Sequence, residues 1–270
     1  MAITVDGIAT ALAAAQRIEY AKQSGTAKSA GAFQSLWTAA GRPGAGATPP
    51  AYTAGSGYTC DDTTTGAPAL VNSAGGGLEN RLARMRLSSA ITGTLRLYDR
   101  LWSCSGMGFA ASTYTVTTPG SLPARITDNG VGVVAFVENF VAAGAASGTL
   151  TLNYANAATG AAKSGVIAAV VSAPVAGQVQ PIPLAVGDTG VRSVTSAVTS
   201  ATWTSGSFGI TLAKPICDIS VGLAGPATIY DWAMAALAKV PDDACIWGVW
   251  QPSATTATWV DSEAFVVDVG

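Results

Sequence analysis

Carboxylate pairs are the candidates from which this sequence could assemble acid–base chemistry, because its 270 residues include no histidine. Two acids suffice for glycoside hydrolysis if they stand at the retaining or the inverting separation. The candidates are Asp61, Asp62, Asp99, Asp128, Glu138, Asp188, Asp218 and Asp261. Asp61-Asp62 lies in a Thr- and Gly-rich stretch, while Asp128-Asn129-Gly130 and Gly187-Asp188-Thr189-Gly190 have turn composition, so these acids read as solvated turn residues. Glu138 differs. It falls inside the apolar pattern Val133 to Val141, where an unpaired buried charge is costly, so it must face solvent or pair with a base. Asp99 and Arg100 follow the alternating Leu95-Arg96-Leu97-Tyr98 and read as an ion pair or a strand end.

Nucleophilic catalysis by Ser or Cys normally needs a positioned base, so Ser105 in Ser103-Cys104-Ser105-Gly106 reads as a turn residue. Cys60, Cys104, Cys217 and Cys245 are far apart and form no C-x-x-C pair, which gives a metal site no support. Two states stay open for them: reduced, buried thiols packed as small hydrophobes, or one or two disulfides formed in an oxidising medium. The first is preferred, because spacing alone does not supply the geometry of a bridge. Gly130-Val131-Gly132-Val133-Val134-Ala135 has the outline of a dinucleotide fingerprint but no βα alternation around it. There is no phosphate-binding Gly-Lys-Ser/Thr loop and no EF-hand loop, so no cofactor and no metal is expected. The seven tryptophans suit either a sugar-binding platform or core and interface packing, the commoner use of such large side chains.

Composition points the same way. Apolar residues make up 49% of the chain and charged ones 11%, against about 25% in an ordinary globular protein. With a net charge of −2 and no basic stripe, neither nucleic acid nor anionic membrane is an expected partner. A non-enzymatic protein is the expectation. The beginning Met1-Ala2-Ile3-Thr4-Val5-Asp6 shows no basic segment followed by an apolar core, which implies synthesis in the cytoplasm. The longest apolar runs, Val131 to Val141 and Val166 to Val186, are broken by Glu138, Pro174, Gln178, Gln180, Pro181 and Pro183 before reaching membrane-spanning length.

The elements that would position these groups are mainly short strands. Period-two alternation marks Thr94 to Leu97, Tyr114 to Val116 and Leu150 to Tyr154. Further candidates are Val131 to Phe140, Gly165 to Val171, Val191 to Thr195, Ala201 to Leu212, Ile216 to Val221, Ala244 to Trp250 and Ala264 to Val269, with a bulge or turn expected at Gly206. Three helices are predicted. The first runs from Ile8 to Tyr20, with Asp6 as N-cap and Gly25 as stop. The second runs from Ala30 to Ala39 and sets Phe33 and Trp37 on one face. The third runs from Ile229 to Val240, with Thr228 and Asp231 as a capping box and Pro241 as terminator. Between Gly41 and Gly77 the Gly/Pro-rich composition reads as an extended arm. The predicted fold is therefore mainly β, an antiparallel β-sandwich or jelly roll spanning residues 76–270, preceded by a helical and extended arm over residues 1–75. Deleting that arm should leave a folded body.

Several phrases carry a resemblance to a known family. Gln34-Ser35-Leu36-Trp37-Thr38-Ala39-Ala40-Gly41, Thr92-Gly93-Thr94-Leu95-Arg96-Leu97-Tyr98-Asp99-Arg100-Leu101-Trp102, Leu122-Pro123-Ala124-Arg125, Gly148-Thr149-Leu150-Thr151-Leu152-Asn153-Tyr154 and Gly187-Asp188-Thr189-Gly190-Val191-Arg192-Ser193-Val194 together resemble virion structural proteins of tailed bacteriophages. The resemblance implies a capsid decoration or cement protein at the virion surface, with the major capsid protein or other virion subunits as partners. Tail, neck or fibre positions with receptor or glycan binding are the alternative. A low-charge β body with an arm that orders on a neighbour fits this role, as does symmetric self-association, for example as a trimer. Phe33, Leu36 and Trp37 are the candidate subunit-interface residues.

Overall fold

The computed structural model describes residues 5–23, 29–117, 122–256 and 258–269. Among them a helix α1 (Val5–Ala13) precedes β1 (Gln16–Gln23), β2 (Phe33–Ser35) and β3 (Ala40–Arg42). The middle of the chain forms β4 (Glu79–Ser89), β5 (Gly93–Ser103), β6 (Met107–Gly108), β7 (Thr113–Thr115), β8 (Val134–Val141), β9 (Leu150–Asn156) and β10 (Ala162–Ile167). The remainder forms β11 (Gln178–Ile182), β12 (Val191–Thr199), β13 (Ser207–Val221), β14 (Thr228–Tyr230), β15 (Ile246–Pro252) and β16 (Trp259–Val269). The class is mainly β, with 46% strand and 4% helix, as the alternation in the sequence indicates.

The strands form a closed ring with a sheet on either side. β5 pairs β15, β15 pairs β2, β2 pairs β11, β11 pairs β8, β8 pairs β13, and β13 returns to β5, all antiparallel. Closure leaves no unpaired edge in the ring, which is how a barrel satisfies its backbone N–H and C=O groups. A five-stranded sheet ordered β14-β4-β16-β1-β3 and a four-stranded sheet ordered β10-β9-β12-β7 flank it.

Alternation along the long strands β5 and β13 serves three cores at once. Leu95, Leu97, Ile219 and Val221 pack in one apolar layer with Ile18, Leu82, Leu87, Val260 and Val266 of the five-stranded sheet. Leu101, Ala135, Val137, Ile210 and Leu212 pack with Leu150, Leu152, Tyr154, Val194 and Ala197 of the four-stranded sheet. The third core, inside the ring, holds Tyr98, Phe136, Val179, Ala213, Trp247 and Val249. Burying each large apolar side chain stabilises the fold by roughly 1.5–3 kcal/mol. β13 unites the two strands expected at Ala201 to Leu212 and Ile216 to Val221. It passes Pro215, which has no N–H to donate, through a register shift between Pro215 and Cys217. Gly206, with φ +100°, turns the chain immediately before β13, where the expected irregularity falls between Ser207 and Phe208.

The N-terminal expectations need correction. The helix predicted from Ile8 to Tyr20 ends at Ala13, and residues from Gln16 onward form β1, paired over its whole length with β16. Ile18, Tyr20 and Lys22 turn inward while Arg17 and Gln23 face out, a period of two that long-range pairing enforces over the local helical spacing. The stop expected at Gly25 lies outside the described residues. The helix predicted from Ala30 to Ala39 is replaced by β2, which lies in the ring between β15 and β11.

The Gly/Pro-rich stretch is not detached either. Trp37 Nε1 donates to Ala47 O at 2.9 Å, the Cys60 N–H donates to Leu101 O at 3.0 Å, and the Ser103 N–H donates to Tyr58 O at 2.8 Å, so residues 46–60 lie along the ring. Gly248 makes another close approach possible. A Cβ there would stand 2.5 Å from the Tyr20 ring, and its N–H donates to the Tyr20 hydroxyl at 2.9 Å, seating β1 on β15.

The late helix does not form. Thr228–Tyr230 is strand β14 on the edge of the five-stranded sheet. Asp231 Oδ1 accepts the N–H groups of Ala233 and Met234, as a helix cap would, but Ala236 and Leu237 then take φ values of 51° and 47°, which end the turn. The Ala238 carbonyl accepts from the Leu82 N–H instead, and the Val240 N–H donates to Asn80 O. Sheet contacts outweigh the local capping signal.

Candidate functional site

The chemistry-bearing residues converge inside the ring. Arg100 on β5 is wholly buried and its Nη2 lies 2.8 Å from Glu138 Oε2 on β8. Glu138 also accepts from Ser35 Oγ of β2 at 2.6 Å and from Thr211 Oγ1 of β13 at 2.7 Å. Ser103 Oγ accepts from Arg100 Nη2 at 2.7 Å and shares a hydrogen bond with Thr211 Oγ1 at 2.9 Å. Trp247 Nε1 of β15 donates to Ser35 Oγ at 2.9 Å. The Arg100 guanidinium lies over the rings of Trp37 and Trp247, 4.7 and 5.1 Å from their centroids. Burial disfavours charge on Arg100, but the neighbouring Glu138 carboxylate outweighs it and raises the pKa. Both Glu138 oxygens accept hydrogen bonds, so this carboxylate ties β2, β5, β8 and β13 together.

A second buried pair lies on the opposite face of β5. Arg125 grips Asp99 through Nε and Nη2, each at 2.8 Å, and its Nη2 also donates to Cys60 O at 2.8 Å. Asp99 Oδ1 accepts the Cys245 N–H at 3.0 Å. Burial pushes the Asp99 carboxyl above its ordinary range, against the pull of Arg125. An open groove of about 400 Å³ begins at this pair and is bordered by Asp128, Lys214, Lys239 and Pro241. Its other charges are also matched: Lys214 lies 2.5 Å from Asp128, and Lys239 lies 2.6 Å from Glu79.

Of the remaining candidate acids, Asp61, Asp188 and Asp218 are engaged through their carboxylates, while Asp62 and Asp261 are placed by their backbones. Asp61 accepts from Thr63 and Thr64, which hold its carboxyl below the usual range. Asp188 accepts from Tyr154 at 2.5 Å and Asn156 at 3.1 Å, also with a lowered pKa, and Asp218 meets Arg96 at 3.1 Å. Asp62 donates its N–H to Asp243 O, and Asp261 lies on β16 opposite Ala21 and Ser88. Asp99 on β5 and Glu138 on β8 are each held by their own arginine, and the other candidate acids are scattered.

Tryptophan placement separates the two uses open to these residues. Trp37, Trp102, Trp203, Trp247 and Trp250 are buried, Trp232 is half-buried, and Trp259 is 44% exposed. Of the candidate interface residues, Leu36 and Trp37 are enclosed in the protein's own cores and Phe33 is half-buried beneath the Arg96 guanidinium. The helix expected to present Phe33 and Trp37 is absent, yet both side chains meet in the ring core, while Leu36 packs in the layer against the five-stranded sheet.

Arg125, Cys60 and Cys245 were not singled out as partners by the sequence. The only signal available was the need of buried acids for a base.

No family model and no curated protein matches this chain. Two solved structures bear a weak likeness. One, a chain of the infectious bursal disease virus Gx strain structure, is 10% identical over 94% of this chain and 82% of that chain, with a TM-score of 0.19. The other, a protein of unknown function from Shewanella oneidensis MR-1, is 12% identical over 73% of this chain and 90% of that chain, with a TM-score of 0.14. Among the described residues no helix is long and apolar enough to cross a membrane.

Proposed function

We propose that this protein is a non-enzymatic structural component of a bacteriophage virion, a capsid decoration or cement protein that binds major capsid subunits. The observation that carries this reading is the engagement of the two buried candidate acids: Glu138 is locked to Arg100 inside the closed ring, and Asp99, on the opposite face of β5, to Arg125. Low charge and the family resemblance of the sequence phrases support the same role. Because β1, β2 and β3 are integral strands, partner contact falls to the outer faces and short edges of the flanking sheets. Exposed Leu223, Ile229 and Met234, on and around edge strand β14, offer apolar contact area there. Quantitative mass spectrometry and imaging of purified particles test the proposal. A fixed copy number at the capsid surface is expected, and absence from intact particles overturns it.

One observation favours a second role, glycan binding at the virion surface. Exposed Trp259 borders an open groove of about 390 Å³ with Gln23, Gly41 and Asp261, an aromatic face beside polar groups. Saturable binding on a glycan array that Trp259→Ala abolishes would establish it. Silence under multivalent display would remove it.

A further inference from the structure

Cys60 and Cys245, distant in sequence, hang from adjacent residues on one edge of β5. The Cys60 N–H donates to Leu101 O at 3.0 Å, and the Arg100 N–H donates to Cys245 O at 2.8 Å. Their side chains lie in the same ring core, 6% and 0% exposed, and the Asp62 N–H donates to Asp243 O at 3.2 Å, which holds the two segments side by side. The Arg100 guanidinium lies over Trp37 and Trp247 of the same core, and its Nε and Nη1 have no hydrogen-bond acceptor. Two thiols brought into one buried core, together with a buried cation short of acceptors, form an arrangement that packing alone does not call for.

We propose that Cys60 and Cys245 form an intramolecular disulfide, with Cys60 as the attacking sulfur and a small peroxide as oxidant. The Cys60 thiolate attacks one peroxide oxygen; the S–O bond forms, the O–O bond breaks and hydroxide leaves, giving a sulfenic acid. The Cys245 sulfur then attacks Cys60 as its own proton is lost; the S–S bond forms, the S–O bond breaks, and the departing oxygen leaves as water. In total two thiols and one hydrogen peroxide become one disulfide and two waters, with two electrons passing from sulfur to peroxide.

The environments of the four cysteines fit this division of roles. The hydrogen bond from Cys245, with help from Arg100 and Arg125, holds the Cys60 thiol below its ordinary range against the effect of burial, while Cys245 is raised. Burial pushes Cys104 up to about 12, in the separate layer that contains Met107 and Phe109. Cys217, half-buried, is pushed up to about 11 by burial and by Asp218. The new bond would staple the loop around Cys60 to the start of β15, two segments already joined by the hydrogen bond from the Asp62 N–H to Asp243 O.

The test uses the full chain. Folded protein is exposed to hydrogen peroxide until Met234, 59% exposed, is converted to sulfoxide and so reports the dose. It is then alkylated under denaturing conditions and digested without reductant. The expected result is a loss of two hydrogens in mass and a linked Cys60–Cys245 peptide, with Cys104 and Cys217 still alkylated. In Cys245→Ser the link is absent and Cys60 is captured by a sulfenic-acid probe. Full alkylation of Cys60 and Cys245 at a dose that oxidises Met234 overturns the proposal, as does linkage of either residue to a different cysteine.

Discussion

The ring interior and the layer between the ring and the four-stranded sheet are built on opposite principles. The layer is an apolar interlock in which Leu150, Leu152, Ile210 and Leu212 meet, and any well-fitting hydrophobic set would supply the same burial. In the interior, Arg100, Ser103, Glu138, Ser35, Thr211 and Trp247 tie β5, β8, β2, β13 and β15 into one hydrogen-bonded group. A slip of one residue in any of these strands would leave a buried charge without its partner. Hydrophobic burial therefore drives assembly of the layers, while the polar interior selects one register for the ring.

The sharpest way to break this comparison is to remove a ring strand. Deleting residues 1–75 takes out β2 and the strap along β5, and the product should lack cooperative thermal unfolding; a folded body would show the ring to be dispensable. Glu138→Ala leaves Arg100 as an uncompensated buried charge and should cost about 3–5 kcal/mol in urea denaturation. Leu152→Ala, in the apolar layer, should cost roughly 2–5 kcal/mol in the same measurement, with no change of register. The double change Arg100→Met with Glu138→Leu sharpens the distinction. It should be far less harmful than Glu138→Ala alone, within about 1–2 kcal/mol of the parent, because no charge is left unpaired. If the interior sets register, that variant should show broadened amide resonances in β5 and β8 despite its stability.

The smallest effect lies outside both regions. Burial lowers the pKa of Lys22 to about 8, although its Nζ donates to Ala39 O and Gly44 O. Between about pH 8 and the ordinary lysine value the unfolded chain holds this proton and the folded chain releases it, so Lys22's contribution to stability rises with pH there. The difference in unfolding free energy between the parent and Lys22→Met should shift in the parent's favour across that window. A flat difference would mean that Lys22 is not held neutral.

The sequence made some of this legible and concealed the rest for identifiable reasons. Glu138 in an apolar strand announced the choice between solvent and a basic partner, and the structure chose Arg100. Asp99 was expected to be an ion pair or a strand end, and its partner is Arg125, not the adjacent Arg100, because neighbours on a strand point to opposite faces. The 3.6-residue spacing of Ile8, Leu12, Ala15 and Glu19 suggested a helix that ends early, since pairing with β16 over eight residues outweighs weak local preference. The capping signal at Asp231 gave one turn and no helix, because the following residues are drawn into contact with β4.

What this sequence determined by itself is the antiparallel β class and the positions of most strands from Leu95 onward, because alternation of side chains is a local property of the chain. Tertiary structure alone decided that six strands close into a ring, that the N-terminal segment belongs to the sheets, that Arg100 meets Glu138 and that Cys60 and Cys245 share the ring core. Each of those outcomes joins residues far apart in sequence, and no local pattern encodes which distant strand will arrive beside another.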